Sequence, residues 1–249
     1  DIDKGWHQLG SSGSGNHFAE WGWVDGHLAL LTHSGSRGPG WNVSQHFMDI
    51  AEERCAQLPD EMRGLSWLSL DSDAGQAYLQ SMRQMGDYAS ACHDVIHDSI
   101  LRRLGCPVID RIENHHNFAW IEDGYVVHRK GATPSSEGEI GIVPGTMCDP
   151  SYIVCGRGNE AAMDSSAHGA GRRMSRTEAR KRYDQDYIEK VLQLRDVELL
   201  SAGVDEAPGA YKSIHNVMGD QRELVAPIGM FHPWIVKMAP DDDTPPWIE

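Results

Sequence analysis

The sequence predicts a mixed α/β protein, because its apolar residues follow helical spacing in one stretch and strand-like runs in another. Over residues 75–104 apolar side chains recur every three or four positions, which is the spacing of one helix face. Gly105 and Pro107 are typical of a helix end. Short apolar runs alternating with turn residues predict five strands, at 108–112, 118–121, 125–128, 140–143 and 152–154.

The rest of the chain adds elements of both kinds. An apolar run at 28–31 predicts a strand, and Asp25 with Gly26 predicts the turn before it. Residues 44–57 have a helical pattern that Pro59 ends. Residues 158–176 are rich in Gly, Ser and Asn and predict a loop. Two more helices and a last short strand are expected at 176–196, 206–218 and 234–237.

Composition limits the functions that this chain can have. A formal net charge of −15 argues against broad, non-specific nucleic-acid binding, although it leaves room for a local phosphate site. The five cysteines have no CxxC spacing, which predicts a reduced, cytoplasmic chain rather than a disulfide scaffold. No apolar stretch is long enough to span a membrane. Because the chain starts at Asp1, close to a dense motif, we expect the later part of a longer protein.

Four histidines in similar surroundings form the main functional signal. His17, His33, His116 and His168 each lie in a short segment rich in Gly, Asn or Ser. Imidazole is the commonest metal ligand in proteins, and glycines let the backbone come close to a ligand. The neighbouring His115 would point the opposite way on an extended segment, so only one of the pair should enter a site. The pattern predicts a combined metal and nucleotide site.

His168 differs from the other three because arginines follow it. Its segment is rich in serine and glycine, which suits a nucleophile that must approach a phosphate. Arg172 and Arg176 are candidate phosphate contacts, and Arg37, next to His33, is another. The alternative for His168 is a fourth metal ligand. The basic run 180–182 is equally well explained as a solvated helix face.

These motifs together resemble the RtcB family of RNA-splicing ligases, most closely its bacterial members. The resemblance runs from the Trp-His-Gln-Leu-Gly string at 6–10 to Lys237, and its most specific strings are 33–38 and 166–176. It implies a family-specific mixed α/β fold with one catalytic domain at 1–238, the C-terminal portion of the family fold, followed by an acidic, proline-rich tail at 239–249. It also implies a GTP-dependent RNA ligase with two Mn²⁺ ions, which joins 2′,3′-cyclic phosphate or 3′-phosphate ends to 5′-hydroxyl ends in tRNA splicing or RNA repair.

The resemblance also assigns roles to individual residues. His168 would be the guanylylated histidine, His33 and His116 would bind one Mn²⁺, and His17 would bind the other. Arg37, Arg172 and Arg176 would contact phosphates of GTP or RNA. The nucleotide pocket would be lined by Asn16, Phe18, Glu20, Thr146, Ser151, Ala170, Gly171, Tyr211 and Lys237. The partners implied are broken RNA ends or tRNA halves and an archease-type activator.

The chain departs from the family pattern at several positions. The family's upstream Asp-x-Gly-Cys-Gly segment, which supplies an aspartate ligand and a bridging cysteine, is absent from the sequence. Thr146 stands where serine is usual and Cys148 where glycine is usual. The chain is therefore a fragment, or has its other part supplied separately, or is not an active ligase. A metal-dependent phosphoesterase and a non-catalytic module that binds a nucleotide or a partner are the alternative functions.

Overall fold

The computed structural model describes residues 2–241 and confirms the mixed α/β class. Its residues form two compact units. The first unit comprises residues 2–13 and 34–104, and the second comprises 14–33 and 105–241. The single catalytic domain at 1–238 stays a prediction, and the predicted tail lies outside the described residues from position 242 onward.

The first unit is helical. It contains α1 (Ile2–Gln8), α2 (Arg37–Arg54) and α3 (Asp73–Leu104). The helix predicted at 75–104 is confirmed as α3, whereas the one predicted at 44–57 begins earlier, in a segment whose glycines and proline weaken the helical pattern. α2 and α3 bury the side chains of Phe47, Ala51, Leu79, Ala89, Cys92 and Ile96.

The second unit is built on β-sheets. Its strands are β1 (Phe18–Val24), β2 (His27–His33), β3 (Asn117–Glu122), β4 (Tyr125–Lys130), β5 (Ala132–Pro134), β6 (Ile140–Val143), β7 (Ser151–Gly156), β8 (Ser165–Ala167), β9 (Glu198–Ser201) and β10 (Val225–Met238). The main sheet has the order β2-β1-β10-β7-β6, and β9 joins it parallel to β10. β3 pairs with β4, and β5 pairs with β8.

Most of the predicted strands are confirmed, and one is wrong. Strands occupy the positions predicted at 28–31, 118–121, 125–128, 140–143 and 152–154, and the run at 234–237 belongs to the longer β10. The run at 108–112 forms no strand, because Val108 and Ile109 are 61% and 80% exposed and lie outside the sheets of the described chain. The predicted loop at 158–176 contains the short strand β8.

Three helices complete the second unit, and two predictions about them are corrected. α4 (Arg176–Arg182) and α5 (Gln185–Gln193) replace the single helix predicted at 176–196. The carboxylate of Asp184 caps α5 by accepting a hydrogen bond from the Tyr187 N–H, so the chain restarts a helix there. The helix predicted at 206–218 is present only as α6 (Ile214–Asp220). No helix within residues 2–241 is long and apolar enough to cross a membrane.

Two apolar clusters hold these helices on the sheet. Ile188 and Leu192 of α5 belong to one cluster with Val236 of β10. Ile214 of α6 belongs to the other, with Val154 of β7. Burial of such side chains contributes about 1.5–3 kcal/mol each. Met147 and Cys148 belong to the first cluster and Ala170 to the second, so the clusters also hold the loops at 144–150 and 168–175, which carry several of the predicted site residues.

Candidate active site

The four histidines selected from the sequence come together in the second unit, and we call them the histidine cluster. His17 precedes β1, His33 ends β2, His116 precedes β3 and His168 follows β8. Their rings form a row, with centroid separations of 5.1 Å from His17 to His33, 5.1 Å from His33 to His116 and 4.8 Å from His116 to His168. The neighbouring His115 instead stacks on Phe118.

A hydrogen bond fixes the ring of His33, and burial keeps His116 neutral. The Nδ1 atom of His33 lies 3.0 Å from the Asn16 carbonyl oxygen. Because a carbonyl only accepts, Nδ1 carries the proton and the lone pair of a neutral ring is on Nε2. Burial, together with the neighbouring His33 and His168, lowers the pKa of His116 to about 4. His116 is therefore neutral near pH 7, the protonation state in which imidazole binds metals.

The central pair has the spacing of two ligands on one ion. The Nε2 atoms of His33 and His116 are 3.1 Å apart. Two nitrogens bound to one ion at about 2.1 Å would lie about 3.0–3.4 Å apart for angles between about 90° and tetrahedral. Across residues 2–241, however, no group of three or more His, Cys, Asp or Glu side chains is arranged to hold a metal ion. The pair thus supplies two ligands, and further ligands must come from other groups.

His168 is held by two contacts to one backbone carbonyl. Its Nδ1 lies 2.8 Å from the carbonyl oxygen of Gly131, and its backbone N–H donates to the same oxygen at 3.4 Å. The Gly131 N–H in turn donates to the His116 carbonyl at 2.9 Å. Because Nδ1 donates to the Gly131 carbonyl, a neutral His168 has its lone pair on Nε2. A single residue, Gly131, thus links the last two rings of the cluster.

The predicted nucleotide residues of β1 lie beside the cluster. The ring of Phe18 is 5.6 Å from that of His33, and the two residues pair across β1 and β2. Glu20 points to the same face of the sheet and is only 4% exposed, and this burial raises its pKa to about 8. Lys237 is exposed between buried neighbours on β10, opposite Ala19. Alternation along the strand therefore directs Lys237 away from Phe18 and Glu20.

Four of the other predicted pocket residues lie in or directly beside two loops that contact each other. The Ala170 N–H donates to the Pro144 carbonyl at 2.9 Å, which joins the loop after β6 to the loop after His168. Thr146 donates its hydroxyl to Asp149 at 2.7 Å, and the Ser151 hydroxyl accepts from the Gly145 N–H at 3.3 Å. Gly171 has a φ of 68° and accepts from Lys212. Each of the two hydroxyls thus has a contact within its own loop.

The arginines after His168 meet two buried acids, and we call this set the arginine network: Arg172, Arg176, Arg180, Asp205, Glu206 and Tyr211. The Glu206 side chain is 1% exposed and pairs with Arg172 at 3.2 Å and with Arg176 at 3.5 Å. Asp205 pairs with Arg176 at 3.6 Å and with Arg180 at 3.4 Å. The Tyr211 hydroxyl donates to Glu206. The basic stretch is therefore partly neutralised from within the protein.

The three arginines predicted to contact phosphate have different surroundings. Arg172 is largely enclosed, whereas 42% of the Arg176 side chain is exposed. Arg176 lies against the histidine cluster's first loop, since a methyl group on Gly15 would be 2.6 Å from its Nη atoms. Arg37 belongs to the first unit, where its Nε donates to the Ser11 hydroxyl at 3.1 Å. Arg176 is thus the arginine most open to an added phosphate near the histidines.

Sequence reasoning did not select Asp205, Glu206 or Gly131 as site residues. The two acids are adjacent and directly precede Ala207 and Pro208. An acidic pair before a proline turn, in a chain with a dense arginine stretch, is a signal that could have identified them. Gly131 contributes only backbone atoms to His168, so side-chain chemistry gives no sign of it.

Comparison with known proteins places this fold and site in a defined class. The family model described as "tRNA-splicing ligase RtcB" matches residues 1–238. The chain belongs to the RtcB family.

Three relatives illustrate the extent of the similarity. The chain is 32% identical over 239 residues to the RNA-splicing ligase RtcB of Escherichia coli K12, an alignment that covers 87% of this chain and 58% of the relative. The tRNA-splicing ligase RtcB of Pyrococcus abyssi is 32% identical over 86% of this chain and 29% of its own length. The Mycobacterium bovis RNA-splicing ligase RtcB is 30% identical over 87% of this chain and 61% of its own length. The chain thus spans less than two thirds of each relative.

Proposed function

We propose that this chain carries the catalytic chemistry of a GTP- and Mn²⁺-dependent RNA ligase, which joins 2′,3′-cyclic phosphate or 3′-phosphate ends to 5′-hydroxyl ends. One observation carries the proposal: His168 donates Nδ1–H to a backbone carbonyl, which leaves Nε2 as the nucleophilic atom in a row of histidines. Membership of a family described as tRNA-splicing ligases supports RNA as the substrate.

His168 takes part in each bond change up to the transfer to RNA. Nε2 attacks the α-phosphorus of GTP, so an N–P bond forms, the bond to the bridging oxygen breaks and pyrophosphate leaves. The imidazole becomes cationic in this step, and the Gly131 carbonyl that accepts from Nδ1–H stabilises the charge. An oxygen of the RNA 3′-phosphate, which water generates by hydrolysis where the end is a 2′,3′-cyclic phosphate, then attacks the same phosphorus and releases His168. Finally the 5′-hydroxyl displaces GMP and loses its proton to solvent.

The surrounding residues bind and orient the substrates. His33 and His116 would hold one Mn²⁺, and His17 would contribute to the second. Divalent ions neutralise phosphate oxygens and orient the leaving group in this type of chemistry. Arg176 extends from α4 toward Gly15, where it can contact the phosphates. Asn16 fixes the His33 ring through its carbonyl oxygen.

Intact-protein mass spectrometry tests the proposal directly. After incubation with GTP and Mn²⁺, the wild-type chain should gain the mass of one guanylyl group, and His168→Ala should not. His27→Ala is the matched control, because His27 is an exposed residue at the opposite end of β2. Joining of a 3′-phosphate RNA to a 5′-hydroxyl RNA is then measured with and without an archease-type protein. A wild-type chain without the adduct would contradict the proposal for this chain.

One observation favours a second candidate, a module that binds GTP without turnover. The described residues provide a two-histidine pair rather than a complete set of metal ligands. A chain of this kind would bind GTP in calorimetry, but its mass would stay unchanged. Phosphate release from RNA ends without any GTP requirement would instead indicate a metal-dependent phosphoesterase.

A further inference from the structure

Glu206 is a charged residue in an almost fully buried position. It ends the 3-10 turn Val204–Glu206, and its side chain is 1% exposed. One carboxylate oxygen accepts from the Tyr211 hydroxyl, and the other pairs with Arg172 at 3.2 Å and with Arg176 at 3.5 Å. Three functional groups from three segments therefore converge on a single carboxylate.

Arg172 connects this carboxylate to the loop that follows His168. Its Nη2 donates to the Asp205 carbonyl at 2.7 Å, and its Nε donates to the Met174 carbonyl at 3.2 Å. Its guanidinium also lies 5.1 Å from the centre of the Tyr211 ring, and the backbones of Arg172 and Tyr211 form a β-bridge. Each guanidinium nitrogen thus has an acceptor within the protein, and these bonds fix the position of the Arg172 side chain.

The turn that carries Glu206 is also held at its far end. The Gly209 carbonyl accepts from Arg173 Nε at 2.9 Å and from the Tyr183 hydroxyl at 2.7 Å. These bonds fix the backbone between Glu206 and Tyr211. The position of the Tyr211 ring is therefore set from both sides. The bonds to the Gly209 carbonyl hold its backbone, and Glu206 holds its hydroxyl.

The network reaches the histidine cluster through two short connections. Arg176 contacts Gly15, two residues before His17. The Lys212 N–H donates to the Gly171 carbonyl at 2.9 Å, three residues after His168. A change at Glu206 is thus transmitted to Arg176, beside the loop before His17, and to Tyr211, whose backbone pairs with the loop after His168.

Burying a carboxylate costs free energy, so a purely structural role explains Glu206 poorly. Removing a charge from water costs several kcal/mol, and buried ion pairs can often be replaced by apolar side chains without loss of stability. A buried carboxylate that orients a tyrosine and two arginines is better explained by the geometry that it imposes. The proposed function places Arg176 at the phosphates, and the family resemblance places Tyr211 in the nucleotide pocket.

We propose that Glu206 is a positioning residue for the nucleoside triphosphate, which orients the Tyr211 hydroxyl and the Arg176 guanidinium beside His168. The proposal rests on the proposed function, because it concerns the nucleotide of the same site. Glu206 does not touch the substrate. It acts through the two side chains that it holds.

Fluorine NMR tests the positioning without any substrate. The seven tyrosines are replaced by 3-fluorotyrosine, and the Tyr211 resonance is identified by its loss in Tyr211→Phe. Glu206→Gln should shift this resonance, while Glu189→Gln, a matched change at an exposed position of α5, should leave it in place. An unshifted Tyr211 resonance in Glu206→Gln would overturn the proposal.

Single-turnover guanylylation tests the consequence for the nucleotide. Glu206→Gln should raise the half-saturating GTP concentration about tenfold while the limiting rate changes less than threefold, and Glu206→Asp should recover part of the loss. Tyr211→Phe should have a similar effect, and the double variant should show less than the sum, as expected for two residues that act as a unit.

The outcomes of these experiments separate the two proposals. A half-saturating concentration in Glu206→Gln equal to that of Glu189→Gln, or fully additive effects, would overturn the positioning role. If the wild-type chain forms no guanylyl adduct, the proposed function fails. The fluorine resonance then still decides whether Glu206 positions Tyr211.

Discussion

The histidine cluster and the arginine network lie in the same unit, but they satisfy their polar groups in opposite ways. In the cluster, backbone carbonyls of Asn16 and Gly131 fix the rings of His33 and His168, and burial keeps His116 neutral. In the network, ionised arginines face the buried acids Asp205 and Glu206. The cluster is thus prepared to receive charge from a ligand, whereas the network already pairs most of its charges internally.

The largest expected difference between variants of the two regions is in the free energy of unfolding. Replacing Arg172 with alanine leaves Glu206 buried without its closest ion-pair partner, and we expect a loss of about 2–4 kcal/mol in the free energy of unfolding. His116→Ala removes a neutral ring and should cost about 1 kcal/mol or less. Urea unfolding measures both variants, with the exposed Arg222→Ala as a control that should change stability by no more than about 0.5 kcal/mol. A larger loss in His116→Ala than in Arg172→Ala would contradict the comparison.

For the stability gained on adding metal, the cluster should matter more than the network. At about 100 times its dissociation constant, Mn²⁺ should raise the free energy of unfolding by about 2.7 kcal/mol, because it binds only the folded cluster. The gain should disappear in His33→Ala, which removes one atom of the 3.1 Å nitrogen pair, and EDTA should abolish it in the wild type. Arg172→Ala should keep the gain, since its changes lie in the network. Equal gains in His33→Ala and the wild type would show that Mn²⁺ binds elsewhere.

A smaller effect on the free energy of unfolding is expected at Gly209, which packs against Tyr183 and Tyr187. A methyl group on Gly209 would lie 2.5 Å from the Tyr183 hydroxyl and 2.8 Å from that of Tyr187. Gly209→Ala should therefore destabilise the fold by about 1–2 kcal/mol through overpacking. Gly219→Ala is the matched control, because it adds the same methyl group in a helix where nothing lies within 4 Å, and it should stabilise slightly. A higher melting temperature for Gly209→Ala than for the wild type would contradict tight packing at Gly209.

A pH-dependent effect is expected at Glu20, the buried carboxyl beside the histidine cluster. Burial raises the pKa of Glu20 to about 8 from 4.5, so its carboxyl favours the fold fully below about pH 4.5, and this contribution is lost as the pH rises through 8. Glu20→Gln should therefore be more stable than the wild type at pH 8.5, by about 3–4 kcal/mol, and the difference should shrink as the pH falls and vanish below about pH 4. Denaturation curves at several pH values provide the test. A constant difference across this range would mean that Glu20 keeps its ordinary pKa.

The sequence predicted the regular elements where local pattern and packing agree. The periodicity of 75–104 matched α3, and the Asp25-Gly26 turn matched the β1–β2 hairpin, where both residues have positive φ. It failed where a partner decides the structure. The apolar run at 108–112 lacks a strand to pair with, and Asp184 divides a helical pattern by capping α5. Such outcomes depend on tertiary contacts that a local pattern does not contain.

The candidate site shows the same division. His17, His33, His116 and His168 were selected by the composition of their segments, and the structure brings them into one row. Their order and spacing depend on strand register and could not be read from the sequence. The partners of the arginines were missed, because Asp205 and Glu206 lie about thirty residues further along the chain. Lys237 was placed with Phe18 by motif alone, and the alternation of β10 separates them.

The Gly131 carbonyl that fixes His168 has a genetic consequence. Every amino acid has a backbone carbonyl, so no codon change at position 131 deletes this acceptor. A substitution there can act only by shifting the chain, and the φ of 71° makes most residues other than glycine strained. A single codon change can remove a side chain such as the Arg176 guanidinium in one step. The tautomer of His168, by contrast, is determined by the path of the backbone and is shielded from simple point mutation.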